Sequence, residues 1–108
     1  MAPLPVDAYA HYLRGRAAFF EGDYDLAVPE LERAMAAAPD QPGIAIAHAQ
    51  ALARLGRKVD AGAAIDQVVA RFPRSPEAWL AAGDLRARAG AAPAAITAYQ
   101  RALALDPD

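Results

Sequence analysis

Apolar and polar residues alternate along this chain in a way that predicts helices and no strands. Apolar-rich runs are broken at regular places by glycine or proline. One run goes from Ile44 to Leu55 and stops at Gly56, where a residue of positive φ costs least. The next goes from about Val59 to Arg71 and stops before Pro73. Ser75-Pro76-Glu77 then reads as a helix start: an N-cap, a proline at the first helical position and an acid in the first turn. Asp7 is expected to cap the first helix in the same way, and Gln41 stands at that place with a poorer capping group.

The pattern repeats. Pro39, Pro73 and Pro107 each follow a helical run, at a spacing of 34. The same shift relates Gly22, Gly56 and Gly90, and also Ala27, Ala61 and Ala95. Leu31, Ile65 and Tyr99 align, as do Ala34, Val68 and Ala102, and Gly15, Ala49 and Gly83. The chain therefore divides into copies at 8–41, 42–75 and 76–108, behind an extended segment, 1–7. Each copy reads helix A, turn, helix B, turn. The small residue of helix A and the Ala of helix B let the two helices approach closely. The larger residue at Leu31, Ile65 or Tyr99 fills the seam.

The small–Gly–Ala–aromatic–Ala–Pro pattern, fullest in Trp79, Gly83, Gly90, Ala95, Tyr99, Ala102 and Pro107, resembles the tetratricopeptide repeat (TPR). The resemblance spans nearly the whole chain and implies an all-α fold. That fold is an α-solenoid of three helix-turn-helix repeats, six helices in a right-handed superhelix. It also implies a protein-interaction scaffold whose A helices line a concave groove for a peptide or a partner segment. Some residues depart from the pattern. Pro29 falls inside helix B of the first copy, where a kink or a late start is expected. Gly62 lies inside the second helix B. Arg14 and His48 stand where the family usually has Leu, and Ala45 where it favours Trp.

The repeat phase names the groove positions. They are Tyr9, Tyr12, Leu13, Arg16, Phe19 and Phe20 in the first copy, and Ile46, Ala47, Gln50, Ala53 and Arg54 in the second. In the third they are Glu77, Leu80, Ala81, Asp84, Ala87 and Arg88. Arg54 and Arg88 share one phase and form a short basic stripe. Net charge is −3, +3 and −1 in the successive copies, so a ligand with an acidic centre and an apolar end is complementary. Family members that clamp the acidic tail of heat-shock chaperones carry Lys and Asn at set groove positions. Here those positions hold Tyr12, Arg16, Ala47, Glu77 and Ala81, and only Arg16 is basic, which argues against that ligand.

Composition narrows the chemistry. Of 108 residues 31 are Ala, the strongest helix former, while aromatics are only 7%, which leaves little material for a β-sandwich or barrel. The chain has no Cys, one Ser, one Thr and one Lys against ten Arg, a balance typical of a GC-rich bacterial genome. An enzyme of its own is therefore not expected, nor a cofactor or a metal. His11 and His48 lie on different helices and read as packing residues, and Asp23 and Asp25 flank a helix start where acids are favoured. A net charge of −2 gives no nucleic-acid footprint. No run of apolar residues is long enough to insert in a membrane. As written the chain reads as cytoplasmic, or as periplasmic or membrane-tethered if cut from a longer protein.

Two features remain open. Tyr9, Tyr12, Phe19 and Phe20 form either a binding surface or a platform for Pro3-Leu4-Pro5-Val6. The last helix, 94–105, keeps Ile96, Leu103 and Leu105 beside its core positions without a polar cap. Two alternatives to the scaffold reading follow: an appendage of a larger bacterial enzyme or envelope or secretion protein, and a self-assembling unit pairing through that helix.

Overall fold

The computed structural model describes residues 4–107. Six helices follow one another: α1 Val6–Phe20, α2 Tyr24–Ala37, α3 Pro42–Arg54, α4 Lys58–Arg71, α5 Pro76–Arg88 and α6 Ala92–Leu105. Among the described residues there is no strand. No helix there is long and apolar enough to cross a membrane.

Three identical turns set the architecture. At the end of α1, Gly22 N–H donates to Phe19 O at 3.1 Å and Asp23 N–H to Ala18 O at 2.8 Å. The ends of α3 and α5 repeat this pair of bonds, through Gly56 and Arg57 and through Gly90 and Ala91. The glycines have φ of 80°, 91° and 80°, the left-handed conformation that this Schellman turn demands. The residue after each glycine is already the N-cap of the following helix. Of these three N-caps, Asp23 alone caps with its side chain, accepting from Leu26 N–H at 3.3 Å. Ser75 does the same for α5, accepting from Ala78 N–H at 3.1 Å, while Gln41 makes no capping bond.

Several local expectations need correction. The first helix starts at Val6 behind Pro5, so Val6 and Asp7 are not extended and Asp7 is no cap. Proline fixes φ before the first turn, and Asp7 lies within that turn. Pro29 neither delays nor divides α2, which runs unbroken from Tyr24. The carbonyl that loses its donor belongs to Asp25, an exposed residue within reach of solvent. Helices α3, α4 and α6 begin one or two residues earlier than the apolar pattern indicates, the first and last with proline in the opening turn.

Packing is nearest-neighbour. Each helix lies on the next, and α3 also touches α1 and α5. The even-numbered helices do not touch one another among the described residues. Odd helices therefore line the inner side and even helices splay apart outside. Fifteen of the twenty-two buried apolar side chains there are Ala. Such a core is held by close backbone approach, and Leu31 and Ile65 are its largest fully buried members. Leu4 packs on the cluster of Ala8, Ala34, Ala38 and Ile44, so the part of the N-terminal segment that is described folds back on the first pair. Pro3 lies outside the described residues.

Candidate functional site

On the inner side, α1, α3 and α5 enclose an open cavity of about 320 Å³. Arg16, Phe19, Phe20, Gln50, Arg54, Asp84 and Arg88 line it, with Ala81 and Leu85. With Ala81, eight of the seventeen groove positions named from the repeat phase therefore meet in one place.

The cavity is cationic. The Arg16 guanidinium stands over Phe20, 4.9 Å from the ring centre, and 6.0 Å from that of Tyr12. Arg54 stands 5.4 Å from the centre of Phe19 and donates to the Tyr24 hydroxyl at 3.3 Å. Aromatic faces thus hold the guanidinium planes in position without neutralising them. Among the described residues, Arg16, Arg54 and Arg88 form no ion pair. The one acid, Asp84, accepts a bond of 2.6 Å from the Tyr99 hydroxyl. That bond keeps the Tyr99 phenol above its usual pKa, with burial a lesser contribution. Three unpaired guanidiniums around one engaged carboxylate have the chemistry that pairs with carboxylates or phosphates.

The remaining groove candidates lie elsewhere. Tyr9 is exposed on the first turns of α1. Tyr12 and Ile46 are half-buried and pack on core clusters. Leu80 borders a separate hollow of about 280 Å³ with Glu77, Tyr99 and Leu103. Ala47 is buried in the core, a correction to its groove position: it joins the cluster formed with residues of α1, α2 and α4. The aromatic cluster divides: Tyr12 and Phe19 are partly core, while Tyr9 and Phe20 are exposed.

Two polar features escaped the repeat phase. Tyr24 belongs to an outer helix yet anchors Arg54, and only its place after Gly-Asp hints at that role. Glu30 is buried in the seam of the first pair, where the other copies have Ala64 and Ala98. A 2.7 Å hydrogen bond from His11 holds its carboxyl below the usual range against the opposing effect of burial. Arg33 and Arg14 add smaller attractions. His48 is the reverse case: among the described residues neither ring nitrogen has a partner, and burial pushes its pKa down. Trp79 packs on the core, and its indole N–H donates to Pro73 O at 2.8 Å. No group of three or more His, Cys, Asp or Glu able to hold a metal occurs among the described residues.

A family model described as the tetratricopeptide repeat matches residues 1–42 and 46–108. The first TPR domain of human RPAP3 is similar in structure, with 27% identity and a TM-score of 0.83, over 94% of this chain and 80% of that one. The first TPR of Spaghetti (RPAP3), bound to the HSP90 peptide SRMEEVD, shares 26% identity at a TM-score of 0.82, over 94% and 81%. The second TPR of Spaghetti, bound to the same peptide, superimposes with a TM-score of 0.79 at 22% identity, over 94% of each chain. A search of curated proteins found no match.

Proposed function

The chain belongs to the tetratricopeptide repeat family, and on that premise we propose that it is a protein-interaction module whose concave face takes a linear segment with an acidic centre and an apolar end. One observation carries the reading: Arg16, Arg54 and Arg88 converge on the inner cavity without carboxylate partners among the described residues. The exposed ring of Phe20 at one side of the cavity offers the apolar contact. The HSP90 peptide on the Spaghetti domains is itself acidic with an apolar last-but-one residue, which favours the chemical class. Its terminal carboxylate is not the expected determinant here, because Glu77 and Ala81 occupy two positions where the family's clamp carries Lys or Asn. Fluorescence anisotropy tests this with labelled SRMEEVD and its C-terminally amidated form. Similar binding of both is expected, weakened by salt and by the double substitution Arg54→Gln/Arg88→Gln. Binding that survives the double substitution at low salt overturns the reading.

Self-pairing is a second reading, favoured by Ile96 and Leu103, which stay 55% and 62% exposed on α6. Neighbouring exposed apolar side chains favour a covering partner. Sedimentation at rising concentration tests it, and a monomer throughout rules it out.

A further inference from the structure

The two layers between successive helix pairs are built from unlike residues. In the first layer Phe19, Val28, Leu52 and Leu55 join one core cluster. Shifted by 34, these positions hold Ala53, Gly62, Arg86 and Ala89. The volume is not recovered by other side chains. A cavity of about 350 Å³ remains between α4, α5 and α6, walled by Ile65 and Leu85 and by these small residues. That size falls within the range of small-ligand sites, about 300–1,000 Å³. Arg86 and Asp66 also line the cavity and are paired with each other, Nη2 3.1 Å from Oδ1, so that acid is already engaged. Lys58, Gly62 and Arg88 are exposed, so the cavity opens to solvent beside two cations.

Arg88 marks what is missing. Its counterpart one layer earlier, Arg54, rests on the Phe19 ring and donates to the Tyr24 hydroxyl. The positions equivalent to Phe19 and Tyr24 hold Ala53 and Lys58, which line the cavity together with Arg88. Among the described residues it has neither ring nor acceptor, and Lys58 forms no ion pair.

We propose that this cavity receives an aromatic side chain from an acidic partner segment. The ring takes the place that Phe19 fills one layer earlier, and a neighbouring carboxylate pairs with Arg88 and Lys58. The site lies on the splayed outer edge and shares Leu85 and Arg88 with the concave cavity, so a segment leaving the inner face reaches it directly.

The test is an NMR titration of the isotope-labelled chain with 3-phenylpropionate, an anionic aromatic fragment. Saturable shifts at the amides of Gly62, Ala89 and Ala91 are expected, with binding several-fold weaker for 3-cyclohexylpropionate, which lacks the π face. Ala53→Phe/Gly62→Val installs the first layer's own residues. It is expected to weaken binding at least ~10-fold while raising Tm. Ala89→Leu gives the same loss from a single exposed position. Arg16→Gln, confined to the concave cavity, leaves the titration unchanged, which separates this site from the groove. Absence of saturable shifts, equal binding of the cyclohexyl compound, or full binding by both filled variants overturns the proposal. So does a dimer in sedimentation whose dilution moves the same amides, since a second copy would then be the occupant.

Discussion

Tyr99 lies so close to Gly83 that no side chain fits between them: a Cβ on Gly83 would stand 2.5 Å from Tyr99 Cε1. Gly15 meets Leu31 in the same way, at 2.7 Å from Cγ. The middle pair solves the contact differently, with Ala49 against Ile65. Glycine with a broad side chain and alanine with a β-branched one are two fits to one seam.

Gly15→Ala is therefore expected to destabilise despite the better helix propensity of Ala. Leu31 is fully buried and has nowhere to move, so overpacking costs about 1–3 kcal/mol against a propensity gain near 1. Gly83→Ala moves in the same direction. Gly83→Ala/Tyr99→Ile, which copies the middle pair, recovers most of the loss. Urea unfolding of these variants and of Tyr99→Ile alone measures the coupling, and additive effects would refute the seam argument.

Glu30 predicts an acid limit to stability. Its carboxyl is held below the usual range chiefly by the His11 hydrogen bond, so the unfolded chain takes up that proton more readily. The stabilisation is whole above the ordinary carboxylate pKa and is lost as pH falls through the lower folded value. Glu30→Gln should flatten stability across that interval in denaturant titrations at stepped pH.

His48 acts at a higher pH. Burial lowers its pKa, so the unfolded state again binds the proton more tightly. Stability is complete above the ordinary histidine value and declines as pH falls below it. His48→Leu removes two buried unpartnered nitrogens and is expected to stabilise by about 1–3 kcal/mol. The gain should grow between neutral pH and pH 5. A pH-independent gain would show that desolvation of the charged form is not the cause.

Asp84 and Tyr99 give an alkaline signature. The phenol is raised by its bond to Asp84, so this contact is intact below the ordinary tyrosine pKa and lost as pH rises through the folded value. Asp84→Asn should lower the Tyr99 titration, read from its ring resonances. An unchanged titration would mean the bond does not persist in solution.

The fold was legible because its constraints recur. A turn that needs positive φ can only be glycine cheaply, so Gly22, Gly56 and Gly90 mark the helix pairs, and Gly15 and Gly83 mark their seams. Helix starts were less legible: Val6 and Ala92 begin helices without a capping side chain, because a nearby proline or a tight turn has already fixed the chain. The shared phase of Arg54 and Arg88 placed both at the concave cavity. Ala47 and Ile46 show the limit, since adjacent positions on one helix turn partly toward the seam and the phase alone does not say how far. The second cavity was hidden altogether, because it arises from differences between copies where the eye seeks likeness.

Each A-to-B turn spends no residue on slack: the last bond of one helix and the cap of the next fall on the same amino acid. An α-helix advances about 100° per residue, so one residue inserted in the helix that follows Gly22, Gly56 or Gly90, ahead of its seam residue, would swing that residue by that angle. Leu31, Ile65 or Tyr99 would then leave its small partner and face solvent. The number 34 thus works as an angular setting as well as a length. Changes of length are tolerated only where they leave that setting intact.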